Sequence, residues 1–119
     1  MEKIISWVEI PTADFDRAVQ FYNKVLKLEM TGEDFGTEKM ACFPSGEGAI
    51  VYAPGYAPSH NGVIVSLLVP DSIDLTAARI EELGGKITHA KTMIEAEGKG
   101  YFAVFLDSEG NRLGLHEKL

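Results

Sequence analysis

The same order of structural signals occurs twice along this chain, as an apolar run closed by proline and then an aspartate that opens a helical periodicity. In the first half Ile10-Pro11 precedes Asp14, and in the second Val69-Pro70 precedes Asp74. Proline cannot donate to a sheet ladder and so closes a strand. Polar residues just ahead of apolar ones at helical spacing mark a helix start. A turn cluster recurs in step: Pro44-Ser45-Gly46-Glu47-Gly48 falls where Asp107-Ser108-Glu109-Gly110-Asn111 falls. Two repeats of about 55 to 60 residues fit this pattern. Such a repeat constrains the fold strongly, because each copy has an apolar face that something must cover.

Each copy reads as β-α-β-β-β. Residues 3–10 alternate as a strand, and Phe15, Ala18, Val19, Tyr22, Val25 and Leu26 recur at helical spacing after Thr12-Ala13-Asp14. Extended stretches follow at 29–34, 38–43 and 49–53, and the turn-rich segment 54–62 joins the halves. In the second copy, 63–69 is a strand and Asp74 opens a helix with Leu75, Ala78, Ile80 and Leu83 on its apolar side, stopped by Gly84-Gly85. Strands at 86–92, 101–106 and 112–116 complete it. The expected architecture is α+β, one domain over residues 1–119 with repeat one at about 1–56 and repeat two at about 60–119.

Eleven basic against eighteen acidic residues give a formal charge of −7, which repels phosphate backbones and anionic lipid headgroups, so neither nucleic acid nor membrane is an expected partner. No apolar run approaches the roughly 20 residues of a membrane span, and the beginning MEKIISW lacks the features of a secretory signal, so a cytoplasmic location is expected. The single cysteine, Cys42, allows no internal disulfide and is expected to be a small buried apolar residue.

Residues 7–22, WVEIPTADFDRAVQFY, resemble the opening of glyoxalase-like proteins, in which a strand, an aspartate, an Arg-Ala pair and Phe-Tyr follow in order. Leu83-Gly84-Gly85 and the run FLDSEGNRLGL at 105–115 are similarly placed to the helix-to-strand step and final hairpin of that group. The chain thus resembles the vicinal oxygen chelate superfamily of glyoxalases, bleomycin-resistance proteins and extradiol dioxygenases over nearly its whole length. The resemblance implies a partly open, curved mixed-sheet barrel with one helix per repeat outside, a small-molecule cavity within, and a two-fold homodimer.

In metal-dependent relatives four strands each present a ligand to a divalent ion. Motif alignment places Trp7, Val51, Ile64 and Gly114 at those positions. Indole offers only an N–H donor, and the other three offer nothing to a metal. No metal and no other cofactor is therefore expected.

Strand alternation puts Glu9 beside Trp7, so Glu9 is a candidate general base or a partner for a cationic ligand, against a structural ion pair as the plainer reading. Arg112, Gly114 and His116 share a face of the last strand, which makes His116 a second catalytic candidate or a solvated chain-end residue. Ser66 shares the parity of Ile64, and Trp7, Tyr52 and Tyr101 offer aromatic walls or simply core. His60 and His89 are assigned no role. Segment 92–100 is read as a hairpin connection or as a loop over the cavity mouth.

Two classes of function follow. The first is a metal-free protein that binds a small molecule in its cavity, the charge favouring a cationic one. The alternative is a glyoxalase-like lyase or isomerase, using Glu9 or His116 or a metal held by displaced ligands. A third reading is a subunit whose barrel is filled by its own side chains.

Overall fold

The computed structural model describes residues 3–119. Its elements are β1 (Val8–Pro11), α1 (Phe15–Val25), β2 (Glu33–Asp34), β3 (Lys39–Cys42), β4 (Gly48–Tyr52), β5 (Ser66–Leu68), α2 (Ile73–Glu82), β6 (Lys86–Met93), β7 (Tyr101–Leu106) and β8 (Arg112–Glu117). The strands form two four-stranded sheets ordered β1-β4-β3-β2 and β5-β8-β7-β6. In each, the first strand pairs parallel with the fourth and the remaining pairs are antiparallel. Duplication thus extends from element order to strand pairing, in a glyoxalase-like α+β fold whose sheets curve without closing into a barrel. Among the described residues no helix is long and apolar enough to cross a membrane.

Asp14 caps α1 by accepting from the Arg17 amide at 3.1 Å, and Phe15, Ala18, Phe21, Tyr22 and Val25 form the buried stripe. Lys27, with φ of 56°, turns the chain out of the helix. In α2 the cap is Ser72, not Asp74, and its hydroxyl takes the Leu75 amide at 3.1 Å. The buried positions there are Ile73, Thr76 and Ile80, while Leu75 is exposed. Ile73, Thr76 and Ile80 recur at helical spacing on a face that excludes Leu75 and Ala78.

Both helices lie on one face of the sheets. A continuous core joins Ile10, Phe21, Tyr22 and Ile50 of the first half to Ile73, Ile80, Phe105, Leu113 and Leu115 of the second. Val51 belongs instead to a small separate cluster with Ala49 and Ala53 on the opposite, open face of the first sheet.

Three expected strands are shorter by about four residues each than the sequence suggests. Residues 3–7 lie outside β1 because its partner β4 begins at Gly48, opposite Val8. Residues 29–32 are not ladder because the Asn23 carboxamide satisfies both backbone groups of Met30, at 2.8 and 3.0 Å. Residues 63–64 leave β5 because the Arg112 amide donates to the Ser59 carbonyl instead of continuing the ladder. Cys42 corrects the expectation of burial: β3 alternation sends Ala41 into the core and leaves Cys42 exposed.

Candidate functional site

Alternation turns Val8 and Ile10 of β1 toward the helices, so Trp7, Glu9 and Pro11 belong to the open face. Glu9 stands in register with Ala49 and Pro11 with Val51. The indole Nε1 of Trp7 donates to the Glu9 carboxylate at 3.3 Å, and Trp7 stays 42% exposed. Tyr56, from the linker, lies near the same carboxylate, whose acceptor oxygens and then negative charge raise the phenol above the ordinary tyrosine range. The result is a carboxylate flanked by two partly exposed aromatic rings.

On the second sheet, cross-strand pairs place Ser66, Gly114 and Val104 in one row of the open face and Leu68, His116 and Phe102 in the next. The Ser66 hydroxyl lies over Gly114 so closely that any Cβ there would collide with it. His116 Nε2 lies 2.7 Å from the Lys99 carbonyl; a carbonyl only accepts, so this nitrogen carries the proton. That bond ties the 94–100 connection to β8. No hydrogen bond joins Glu9 to His116 among the described residues, and each has its own partner.

Tyr52 and Tyr101 lie elsewhere. Tyr52 has Ile50's parity in β4, and Lys39 sits 5.9 Å from its ring centroid. Tyr101 packs on the main core with Lys91 4.7 Å over its ring. The structure therefore gathers Trp7, Glu9, Ser66 and His116 on open faces and leaves these two tyrosines off them.

Sequence reasoning missed Tyr56 and Arg112. Tyr56 sits in a linker with no periodicity to orient it, whereas Arg112 shares a face with Gly114 and His116 and was open to the same inference. Arg112 belongs to the seam between the sheets. A groove of about 170 Å³ runs there, with Glu9 and Pro11 on one side and Ser59, Asn61, Asn111 and Arg112 on the other.

The residues at the four metal positions do not fit a divalent ion. Trp7, Val51, Ile64 and Gly114 supply no lone pair that a first-row metal would take. Among the described residues no three of His, Cys, Asp and Glu converge on one point.

The family model described as "Glyoxalase/Bleomycin resistance protein/Dioxygenase superfamily" matches residues 4–115. Among curated proteins none matches the sequence significantly. The fold is similar to that of a glyoxalase/bleomycin resistance protein from Albidiferax ferrireducens, with a TM-score of 0.72 at 19% identity over 98% of this chain and 100% of that one. It is also similar to a genomically encoded fosfomycin resistance protein from Listeria monocytogenes, with a TM-score of 0.70 at 18% identity over 100% of this chain and 96% of that one. A glyoxalase I mutant from Zea mays gives a TM-score of 0.66 at 20% identity over 93% of this chain and 44% of that longer one. A family match over residues 4–115, with the duplicated βαβββ topology beneath it, means that this chain belongs to the glyoxalase/bleomycin resistance protein/dioxygenase superfamily.

Proposed function

We propose that this chain binds a small cationic molecule on the open face of its sheets, without a metal ion, and works as a homodimer. The observation that carries the reading is the Glu9 carboxylate held between the Trp7 indole and the Tyr56 phenol. Aromatic faces and a carboxylate both attract an ammonium or guanidinium group, and the −7 charge of the chain favours its approach. Trp7, Ile64 and Leu68 are 42%, 43% and 55% exposed, which is apolar surface that a second copy would cover.

The test combines metal content, thermal shift and calorimetric titration with aryl-ammonium and guanidinium compounds. Glu9→Gln keeps the shape of the site and removes its charge, so it is expected to weaken binding about tenfold, the scale of one cation–carboxylate contact. Stoichiometric metal in untagged protein, or equal binding by the Glu9→Gln variant, would overturn the reading. Sedimentation at micromolar concentration checks the dimer.

A further inference from the structure

Arg112 is incompletely satisfied. Its backbone amide donates to the Ser59 carbonyl at 3.2 Å and its Nη2 reaches the Gly62 carbonyl at 3.3 Å. Its Nε is buried and has no acceptor among the described residues. None of the ion pairs there includes it. A guanidinium does not shed its proton, so the charge persists, and one neutral carbonyl is weak compensation for a partly buried cation. Buried polar groups are normally paired, and an orphan calls for an explanation.

The neighbours cannot supply the missing acceptor. Asn111 Oδ1 is taken by the Ser59 amide at 3.0 Å, and its Nδ2 donates to the Pro11 carbonyl and to Asp107. Glu9, across the groove, is engaged by Trp7 and Tyr56. The edge of Arg112 that carries Nε therefore keeps one unmet donor, and a carboxylate or phosphate-type group that displaced the Gly62 carbonyl from Nη2 would meet both nitrogens in bidentate fashion.

We infer that the groove between Glu9 and Arg112 is the second half of the same binding site, and that its ligand is a zwitterion with an oxyanion on Arg112 and a cationic group on Glu9. The inference rests on the reading of Glu9 given above and narrows its ligand class. An acidic chain repels simple anions that come within the roughly 8 Å Debye length, inside which salt does not screen its charge, so Arg112 alone is a poor anion trap. A ligand carrying its own cation escapes that repulsion. The groove volume of about 170 Å³ holds a head group the size of five or six waters at roughly 30 Å³ each. Entry requires the linker to swing at Gly62, whose carbonyl is its hydrogen bond to the guanidinium.

The Nε–H resonance of Arg112 in a ¹⁵N–¹H spectrum reports the site directly and is assigned by its loss in Arg112→Gln. Inorganic phosphate and acetate are titrated separately, against sodium chloride at matched ionic strength. A saturable movement with either oxyanion and none with chloride is expected, and the more effective one tells a tetrahedral group from a planar carboxylate. No saturable movement with either, or the same movement with chloride, overturns the oxyanion site. The zwitterionic probe is a trimethylammonium carboxylate, expected to bind about tenfold more weakly in both Arg112→Gln and Glu9→Gln. If wild-type protein binds no cation while the Arg112 resonance still responds, the reading of Glu9 fails and so does the zwitterion. Cation binding without an Arg112 response sinks only the oxyanion half. The wild-type titration stands even if Arg112→Gln folds poorly.

Discussion

Glu109, in the turn before the last strand, closes on Arg17 of the first helix across 92 residues of sequence, with Nε to Oε2 at 2.7 Å and Nη2 to Oε1 at 3.1 Å. The same carboxylate accepts the Ala13 and Asp14 amides at 2.9 and 2.7 Å, so the final hairpin of the second repeat caps the first repeat's helix. The Glu109 side chain is fully covered while Arg17 is half-exposed, so the carboxylate is the sensitive partner. The second repeat echoes the device when Glu117 takes the Ile73 amide at the start of α2.

Burial pushes the Glu109 carboxyl up, but hydrogen bonds from Arg17, Asp14, Ser108 and Ala13 outweigh it, and the net shift is downward. A depressed folded value means that the stabilisation is present above the unfolded glutamate value of about 4.3 and is lost as pH falls through the folded value. Glu109→Gln should lower stability near neutral pH by about 1–3 kcal/mol, the scale of hydrogen bonds made to a charged acceptor. It should also flatten the acid limb of stability against pH. Urea denaturation from pH 7 downward checks both, and an acid limb of unchanged steepness would count against this role.

Much of this frame was legible in the sequence because it depends on local signals. The Pro-Asp spacing and helical periodicities located both helices, and β7 was read at its observed bounds. What escaped depends on long-range partners. Tyr22 reads as one more residue of the helix's apolar stripe until, fully buried, it is seen donating to Asp107 at 2.7 Å, 85 residues away. Met30 looks like strand until Asn23 takes both its backbone groups. In the candidate site, period two sets the parity of Glu9, Ser66 and His116 on their strands, but it cannot say what enters from a loop. Tyr56 therefore stayed invisible, and Tyr52 and Tyr101 were offered as cavity walls on composition alone.

The Tyr56 and Glu9 contact makes a prediction independent of any ligand. Ionising the phenol would set a second negative charge against the carboxylate, so Tyr56 releases its proton above the usual value near 10. Its contribution to stability is therefore present below the unfolded tyrosine value and is lost as pH rises through the folded one. In Glu9→Gln the Tyr56 ring signals should titrate at lower pH than in wild type. Site-resolved NMR over the alkaline range decides the matter, and identical curves in the two proteins would mean that the groups do not meet in solution.

Two glycines in the connection before β7 separate backbone strain from packing. Gly98 and Gly100 have φ of +76° and +92°, so a side chain at either strains the backbone by about 1 kcal/mol. Around Gly98 there is open space, whereas a Cβ on Gly100 would strike the Glu117 carbonyl and crowd Leu119 N and Lys118 Cα at 3.1 Å. Those atoms are backbone and cannot rotate away, so Gly100→Ala should cost a further 1–3 kcal/mol of overpacking, roughly, beyond what Gly98→Ala costs. The displacement would also carry Lys99 away from His116 and break the bond between its carbonyl and the imidazole. Urea denaturation of the two variants measures the difference and histidine NMR follows the release. Equal costs at the two sites would show that the chain end yields to the added methyl, and that the His116 tie does not hold the connection against β8.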